Sequence, residues 1–307
     1  MIEDLNVVDL FCGCGGMSLG FKRQGFKVSA AFDNWAHAID VYNKNLGDHA
    51  QLLDLGSAAS VEKIAKIDPD IILGGPPCQD FSSARANEIT GNRANLVTNY
   101  CNIVEAAQPS YFVFENVPRV RFSPLYLDMK SRLGSAGYRM SEMIINAKHY
   151  KVPQSRKRLI LVGAKSAREG EFSEVIESLA TQKEITIREY FGSELDTDYY
   201  FRVPTNYNRR GVFSVDEPSQ TIRGVERPIP TGYPGHKLDP VGISDAVRCL
   251  TIKERAQIQT FPSDFQWSST KGANNLLIGN AVPVRMAEML ASVISRHITE
   301  NSVTGQK

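Results

Sequence analysis

The chain has 307 residues, 42% hydrophobic and 22% charged, with a formal net charge of +1. That is ordinary globular composition, long enough for one large domain or two smaller ones, and it argues against a simple basic nucleic-acid coat. No apolar run reads as long enough to cross a bilayer. The start Met1-Ile2-Glu3-Asp4 is acidic where a signal peptide would be basic. Five cysteines, an odd count with no secretory signal, argue against a disulfide framework and for a cytosolic protein.

The first half alternates short apolar runs with amphipathic stretches. Strands are expected at Asn6–Phe11, Val28–Phe32, Ile71–Leu73, Tyr111–Phe114 and Leu159–Val162, and helices at about 35–46, 61–67 and 96–107. Strands alternating with helices imply a doubly wound, mostly parallel α/β sheet. After about Lys165 the alternation fades. Residues 169–198 are acidic, and 202–255 carry most of the later arginines among Pro, Gly and Tyr. An amphipathic helix is expected at Val284–His297. The expected division is a large α/β domain over 1–165, a smaller insert over 166–269, and a C-terminal segment over 270–307 that returns to the first domain.

Asp9-Leu10-Phe11-Cys12-Gly13-Cys14-Gly15-Gly16 sits at a strand-to-helix turn, where glycines let the backbone approach a ligand. Asp33, at the end of the second strand, is placed to hold ribose hydroxyls. Asp54, followed by Leu55, is placed to accept an adenine amino group. A tight turn with surface acids would give the same letters. No Gly-Lys-Ser/Thr follows, so a P-loop is excluded, and Cys12 and Cys14 have no second pair at zinc spacing, so no metal is expected.

Gly74-Gly75-Pro76-Pro77-Cys78-Gln79-Asp80-Phe81-Ser82 follows a buried strand at the sheet's carboxyl edge. Prolines stiffen the turn, which suits a nucleophile that must be held in place. A lone cysteine is more often a small buried hydrophobe, and the Gly-Gly-Pro-Pro frame argues against that here.

Pro-Pro-Cys-Gln-x-Phe-Ser resembles the nucleophile motif of the cytosine-5 DNA methyltransferases, and Asp-Leu-Phe-x-Gly-x-Gly-Gly resembles their donor-binding motif. Glu115-Asn116-Val117, Gln154-x-Arg156-x-Arg158 and Gly279-Asn280-Ala281-Val282 follow in the family's order. The resemblance covers the whole chain except the insert. It implies a Rossmann-like S-adenosylmethionine-dependent methyltransferase domain with a smaller target-recognition domain, acting on double-stranded DNA, of the bacterial restriction–modification type. A monomer is the default expectation.

The chemistry accounts for the residue types. Attack of the Cys78 thiolate on C6 of cytosine breaks the ring's aromaticity and makes C5 nucleophilic toward the donor methyl. A free thiol titrates near ~8.5, so a nearby positive charge would help. Protonated Glu115 would donate to N3. Arg156 and Arg158 are two apart and would share a face in extended backbone, although a phosphate contact or a surface strand would use the same spacing. By resemblance, Arg158 contacts the flipped base and Arg156 supports the catalytic loop. The resemblance also assigns to the donor Phe11, Gly13, Gly15, Gly16, Asn34, Pro77, Leu96, Asn280 and Val282; Leu96 and Val282 would equally suit core packing. Three positions depart from the family pattern: Asp33 stands for a usual Glu, Asn34 for a frequent hydrophobic residue and Ala281 for a common Ser.

A base inside a duplex must be extruded to reach Cys78. Ser82, Arg85 and the loop to Arg93 are candidates to close over DNA, with Gln154 beside them. In the insert, Glu217-Pro218-Ser219-Gln220-Thr221-Ile222 resembles a segment of family recognition domains. Arg223 and Arg227 are the candidates for reading bases, Arg209 and Arg210 for phosphates. Solvated surface charge is the bland alternative for each. A transfer-RNA methylase on the same scaffold is disfavoured because its Cys-Phe-Thr signature is absent from the insert. A catalytically dead homologue is disfavoured because Cys78, Glu115 and Arg158 are all present.

Overall fold

The computed structural model describes residues 2–77, 96–206, 208–244 and 246–304, with side chains up to residue 302. In chain order these form β1 (Asn6–Leu10), α1 (Gly16–Arg23), β2 (Lys27–Asp33), α2 (Ala36–Leu46), β3 (Ala50–Leu52), α3 (Ala58–Ala65) and β4 (Ile71–Gly74). Next come α4 (Leu96–Ala107), β5 (Tyr111–Asn116), α5 (Pro124–Ser135), β6 (Arg139–Asn146), β7 (Gln154–Ser155), β8 (Lys157–Ala164), α6 (Glu171–Ser178) and α7 (Ile187–Phe191). The remainder is β9 (Tyr199–Phe201), β10 (Val212–Ser214), β11 (Ser219–Gln220), β12 (Val247–Cys249), α8 (Ile252–Ile258), α9 (Lys271–Asn280) and α10 (Val284–Thr304).

Chain contacts divide the protein into two compact units. The first comprises residues 1–145, 157–180 and 287–307, and the second 146–156 and 181–286. Residues 146–156 and 270–286 thus group with the insert by contact, although they flank it in sequence.

Unit 1 is built on a seven-stranded sheet in the order β3-β2-β1-β4-β5-β8-β6. Strands β3, β2, β1, β4 and β5 pair in parallel, and β8 runs antiparallel to β5. The central strands are near-continuous apolar runs because helices cover both faces. Val8, Ile72, Phe112 and Phe114 are all fully buried in one cluster with Tyr100 and Ile103 of α4. The order reverses between β1 and β4, which opens a crevice at their carboxyl ends where ligands bind in such sheets.

Unit 2 has a three-stranded sheet, β10-β9-β12, packed around Phe201, Val212 and Val247. A short parallel pair joins β11 to β7. Capping boxes at Thr186/Glu189 and Thr251/Glu254 start α7 and α8. The stretch Lys271–Ser302 is apolar enough by composition to cross a membrane, contrary to the reading of the sequence. Yet 67% of its apolar window is buried, and residues 281–283 interrupt the helix, as in core helices of globular proteins.

Candidate active site

The donor loop follows β1. Phe11 has φ 59° and Gly13 φ 54°, so the backbone turns sharply through the left-handed region, where a bulky side chain is strained. Such strain persists only where the surroundings enforce it, and here they do. Cys12 N donates to Phe32 O at 3.0 Å. Gly13 N and Trp35 N each donate to the Asp33 carboxylate at 3.0 Å. Asp33 therefore ties the β1 loop to the start of α2. Burial pushes its carboxyl upward against these stabilising N–H donors. A Cβ on Gly13 would meet open space, which leaves this face of the loop free for a ligand. Gly15 and Gly16 are buried at the start of α1.

Beneath the loop lies a chain of buried hydroxyls. Ser18 Oγ donates to Asp9 at 2.5 Å, Tyr42 Oη donates to Ser18 at 2.9 Å, and His49 Nε2 lies 3.0 Å from Tyr42 Oη. Burial raises the Asp9 carboxyl to about 7.

The other expected donor residues are placed unevenly. Asp54 and Asn34 are exposed, and Asp54 accepts Gly56 N at 2.9 Å. Leu55 is 2% exposed and belongs to the core cluster, so packing accounts for its side chain. Pro77 is exposed and Leu96 half-buried. Asn280 is exposed and Val282 buried; both belong to unit 2.

The reacting centre is assembled by three adjacent strands. Parallel pairing sets Gly74 of β4 against Phe114 of β5, and antiparallel pairing sets Glu115 against Ile160 of β8. Glu115, 7% exposed, stands beside the turn that leaves β4. A Cβ on Gly75 would come 3.3 Å from its Oε2, so a larger residue there would press on the carboxyl. Arg158 Nε lies 2.9 Å from Glu115 Oε1, but off the N–H direction, so this oxygen has no hydrogen bond among the described residues. The pair is a charge contact that leaves hydrogen-bonding capacity unused. Asn116 Nδ2 donates to Pro76 O at 2.9 Å and fixes the chain two residues before Cys78. That anchoring role was not assigned from the sequence, although Asn116 stood inside a quoted motif. Cys78, Ser82, Arg85 and Arg93 lie outside the described residues.

The motif Gln154-x-Arg156-x-Arg158 divides its work. Arg158 meets Glu115 in unit 1. Arg156 is 1% exposed and donates to Ile222 O at 3.2 Å and Gly279 O at 3.1 Å, both in unit 2. The two arginines therefore do not serve one face, because β7 and β8 are separate strands with Arg156 between them. Gln154 is fully enclosed. Its Nε2 donates to Gln259 at 2.8 Å and its Oε1 accepts Ile222 N at 2.9 Å. That corrects the expectation of a DNA contact, since both ends of the amide are in use.

Arg223 also departs from expectation. Its guanidinium does not project from a loop; it is half-buried and donates to Val203 O. Arg210 stacks 4.4 Å from the Phe213 ring centroid and pairs with Glu217, so neither its charge nor its planar face is free for a phosphate. Arg209 and Arg227 are exposed. Among the described residues no group of three or more His, Cys, Asp or Glu could hold a metal.

A family model for C-5 cytosine-specific DNA methylases matches residues 5–296, nearly the whole chain. The chain belongs to this family. The methylase is 46% identical over 292 residues to Type II methyltransferase M.HindV of Haemophilus influenzae, covering 94% of this chain and 96% of that one. It is 44% identical over 297 residues to Type II methyltransferase M.HgiDI of Herpetosiphon aurantiacus, covering 96% of each. Among solved structures, the fold matches a putative DNA modification methyltransferase from an E. coli prophage (TM-score 0.70, 22% identity, 96% and 100% covered). It also matches S. pombe Dnmt2 methyltransferase (TM-score 0.69, 22% identity, 95% and 98% covered). As a member of this family the methylase transfers a methyl group from S-adenosylmethionine to C5 of cytosine in DNA, through the covalent adduct general to these enzymes.

Proposed function

We propose that the methylase modifies one cytosine within a specific double-stranded DNA sequence, with Cys78 as nucleophile, and that it is the modification enzyme of a restriction–modification system. The system-level role rests on the Type II names of relatives at 44–46% identity. A monomer in the cytoplasm, in contact with DNA, fits that role.

The observation that supports the site assignment is the position of Glu115. It stands beside Gly75, with Asn116 holding Pro76, on the chain that leads directly to Cys78. Once the target base is flipped out, Cys78 Sγ forms a bond to C6, and the ring's electron pair moves toward N3 and C5. Glu115 passes a proton to N3 as charge builds there. Arg158 orients the Glu115 carboxyl and offers its remaining donors to the base. S-adenosylmethionine supplies an electrophilic methyl on a positive sulfur. The Gly13 turn, Phe11, Asp33 and Asp54 would hold it. Carbon C5 takes the methyl. Loss of the C5 proton to a base, with water sufficient, then expels Cys78 as a thiolate, and return of the N3 proton to Glu115 restores the neutral aromatic ring.

Bisulfite sequencing of plasmid DNA from a host expressing the protein tests this reading. The expected result is complete protection of one cytosine in one short word, absent with Cys78→Ser. Methylation scattered over many words, or unchanged by Cys78→Ser, contradicts it.

A further inference from the structure

Unit 2 contains a cluster of charge that the chemistry above does not use. Arg202, Arg223 and Arg255 converge with Glu226 on a narrow, partly open cleft between β9 and the segment that follows β11, with an enclosed volume of only about 10 Å³. In sequence Arg202 and Arg255 lie far from the Arg223–Glu226 segment. The fold joins them because Ile222 packs inward beside Gln154 and Arg156, and the capping box at Thr251 starts the helix that carries Arg255.

Most of the hydrogen bonds here tie backbone together. Arg202 Nη2 donates to Thr221 O at 3.0 Å, Arg223 Nη2 to Val203 O, and Arg255 Nη2 to Arg223 O at 2.6 Å. Arg255 Nη1 pairs with Glu226 Oε2. The count of charge does not balance: three guanidiniums face one carboxylate. Arg255 is 2% exposed, and its Nε, the Nε of Arg223 and Oε1 of Glu226 are buried with no hydrogen-bond partner among the described residues. Buried charges are ordinarily paired, and buried N–H groups ordinarily find acceptors. Burial pulls all three arginines below their ordinary range, Arg202 to about 10 with the neighbouring Arg223 charge as a second cause. Arginine nonetheless remains charged at neutral pH, so an excess positive charge sits in a desolvated cleft with unused donors.

We propose that the mouth of this cleft receives one phosphate oxygen of the DNA backbone, held by Arg202 and Arg223 with Arg255 behind them, while the rest of the phosphodiester stays outside. A phosphate is favoured over a base edge because a base brings acceptors but no charge, and would leave the excess uncompensated. Glu226 holds Arg255 in place in the free protein and opposes the anion. A contact of this kind fixes the register of the recognition unit on the duplex without reading sequence itself. It replaces the base-reading role expected of Arg223 and adds Arg202 and Arg255, which the sequence did not single out.

The inference rests on the DNA-methylating reading above, and the test separates the two. Binding of duplex DNA carrying the methylated word is measured across a salt series for wild type, Arg202→Gln, Arg202→Lys and Glu226→Gln, with S-adenosylmethionine binding as the folding control. Arg202→Gln should weaken binding about tenfold to a hundredfold, the range for a charge-assisted hydrogen bond. It should also lower the salt slope by about one and leave the preference for the methylated word over other words unchanged. Arg202→Lys should retain most of the slope. Glu226→Gln should tighten binding severalfold, the opposite of what a purely structural ion pair predicts. Neutral methylphosphonates, placed one at a time, should weaken the wild type at one position where Arg202→Gln is indifferent. An unchanged slope and methylphosphonate profile in Arg202→Gln, with the wild type still methylating DNA, overturns the phosphate seat alone. So does a relaxed sequence preference, which would make Arg202 a base reader, or weaker binding by Glu226→Gln. A wild type that neither binds nor methylates duplex DNA overturns both readings.

Discussion

Two glycines on helix α9 should respond to the same substitution with opposite signs. A Cβ added to Gly279 would lie 2.1 Å from Gly224 N, 2.3 Å from Arg223 C and 2.5 Å from Gly224 Cα. These are backbone atoms, so no side-chain rotation relieves the overlap, and the segment must move by an ångström or more. That displacement strains bonds meeting the same helix end: Arg156 to Gly279 O at 3.1 Å and Gln259 to Ile278 O at 2.6 Å. Overpacking of this kind costs about 1–3 kcal/mol, which exceeds the gain of about 1 kcal/mol from replacing glycine inside a helix. The overlap with fixed backbone places the cost toward the upper end of that range, so Gly279→Ala should destabilise unit 2 by up to about 2 kcal/mol net. A Cβ on Gly272 meets nothing within 4 Å, so Gly272→Ala should be stabilising by up to about 1 kcal/mol. Urea unfolding of both variants, followed by tryptophan fluorescence and circular dichroism, measures the difference. Equal effects, or a Gly279→Ala variant as stable as wild type, would refute the close approach of α9 to the Arg223–Gly224 backbone.

Other expectations follow from the site. Glu115→Gln should reduce methyl transfer by about 10²–10⁴ while S-adenosylmethionine binding holds, because only the proton donor is lost; single-turnover methylation with a donor-binding assay checks this. Asp33→Ala should weaken donor binding by about 1–3 kcal/mol, since the part-buried N–H groups of Gly13 and Trp35 that shape the donor loop lose their acceptor; calorimetry with the unreactive product of the donor reads it. Asp9, raised to about 7 by burial, binds its proton more tightly folded than unfolded. Its contribution to stability is therefore complete below about pH 4 and is lost as pH rises through about 7, by at most about 4 kcal/mol. Asp9→Asn removes this dependence, so its stability relative to wild type should rise between pH 5 and pH 8; a constant difference would contradict the buried carboxyl.

The α/β half of the fold was legible because its strands are uninterrupted apolar runs between helices of clear periodicity. β1, β2, β4, β5 and β8 lie where the sequence puts them, and α4 ends at Ala107 as expected. β6 went unread because its alternating buried positions Ser141, Met143 and Ile145 include a polar residue and lie outside any βα pattern. In the insert, sequence shows where arginines are but not whether their heads are solvated. Arg223 beside a glycine reads as a loop residue reaching outward. Gly224 is there because it lies against Leu276 of α9, and the packing draws Arg223 into the cleft. Gln154 misled in the same way, because a polar letter beside two arginines suggests a surface. The hydrogen bonds that bury it come from residues 222 and 259, far away in the chain. The residues easiest to single out were those whose motif carries geometry of its own, such as the Gly-Gly-Pro-Pro turn and the last two residues of β5, Glu115 and Asn116.

The most direct test of the central claim is trapping on duplex DNA whose target cytosine is replaced by 5-fluorocytosine. Methyl transfer to that base leaves no proton on C5 to remove, so elimination stops with the enzyme attached. In the presence of S-adenosylmethionine the account predicts one stable protein–DNA adduct per enzyme molecule. Peptide mass analysis should place it on the Cys78 sulfur, and Cys78→Ser should give none. An adduct mapped to another residue, or none from an enzyme that methylates the unsubstituted duplex, would contradict it.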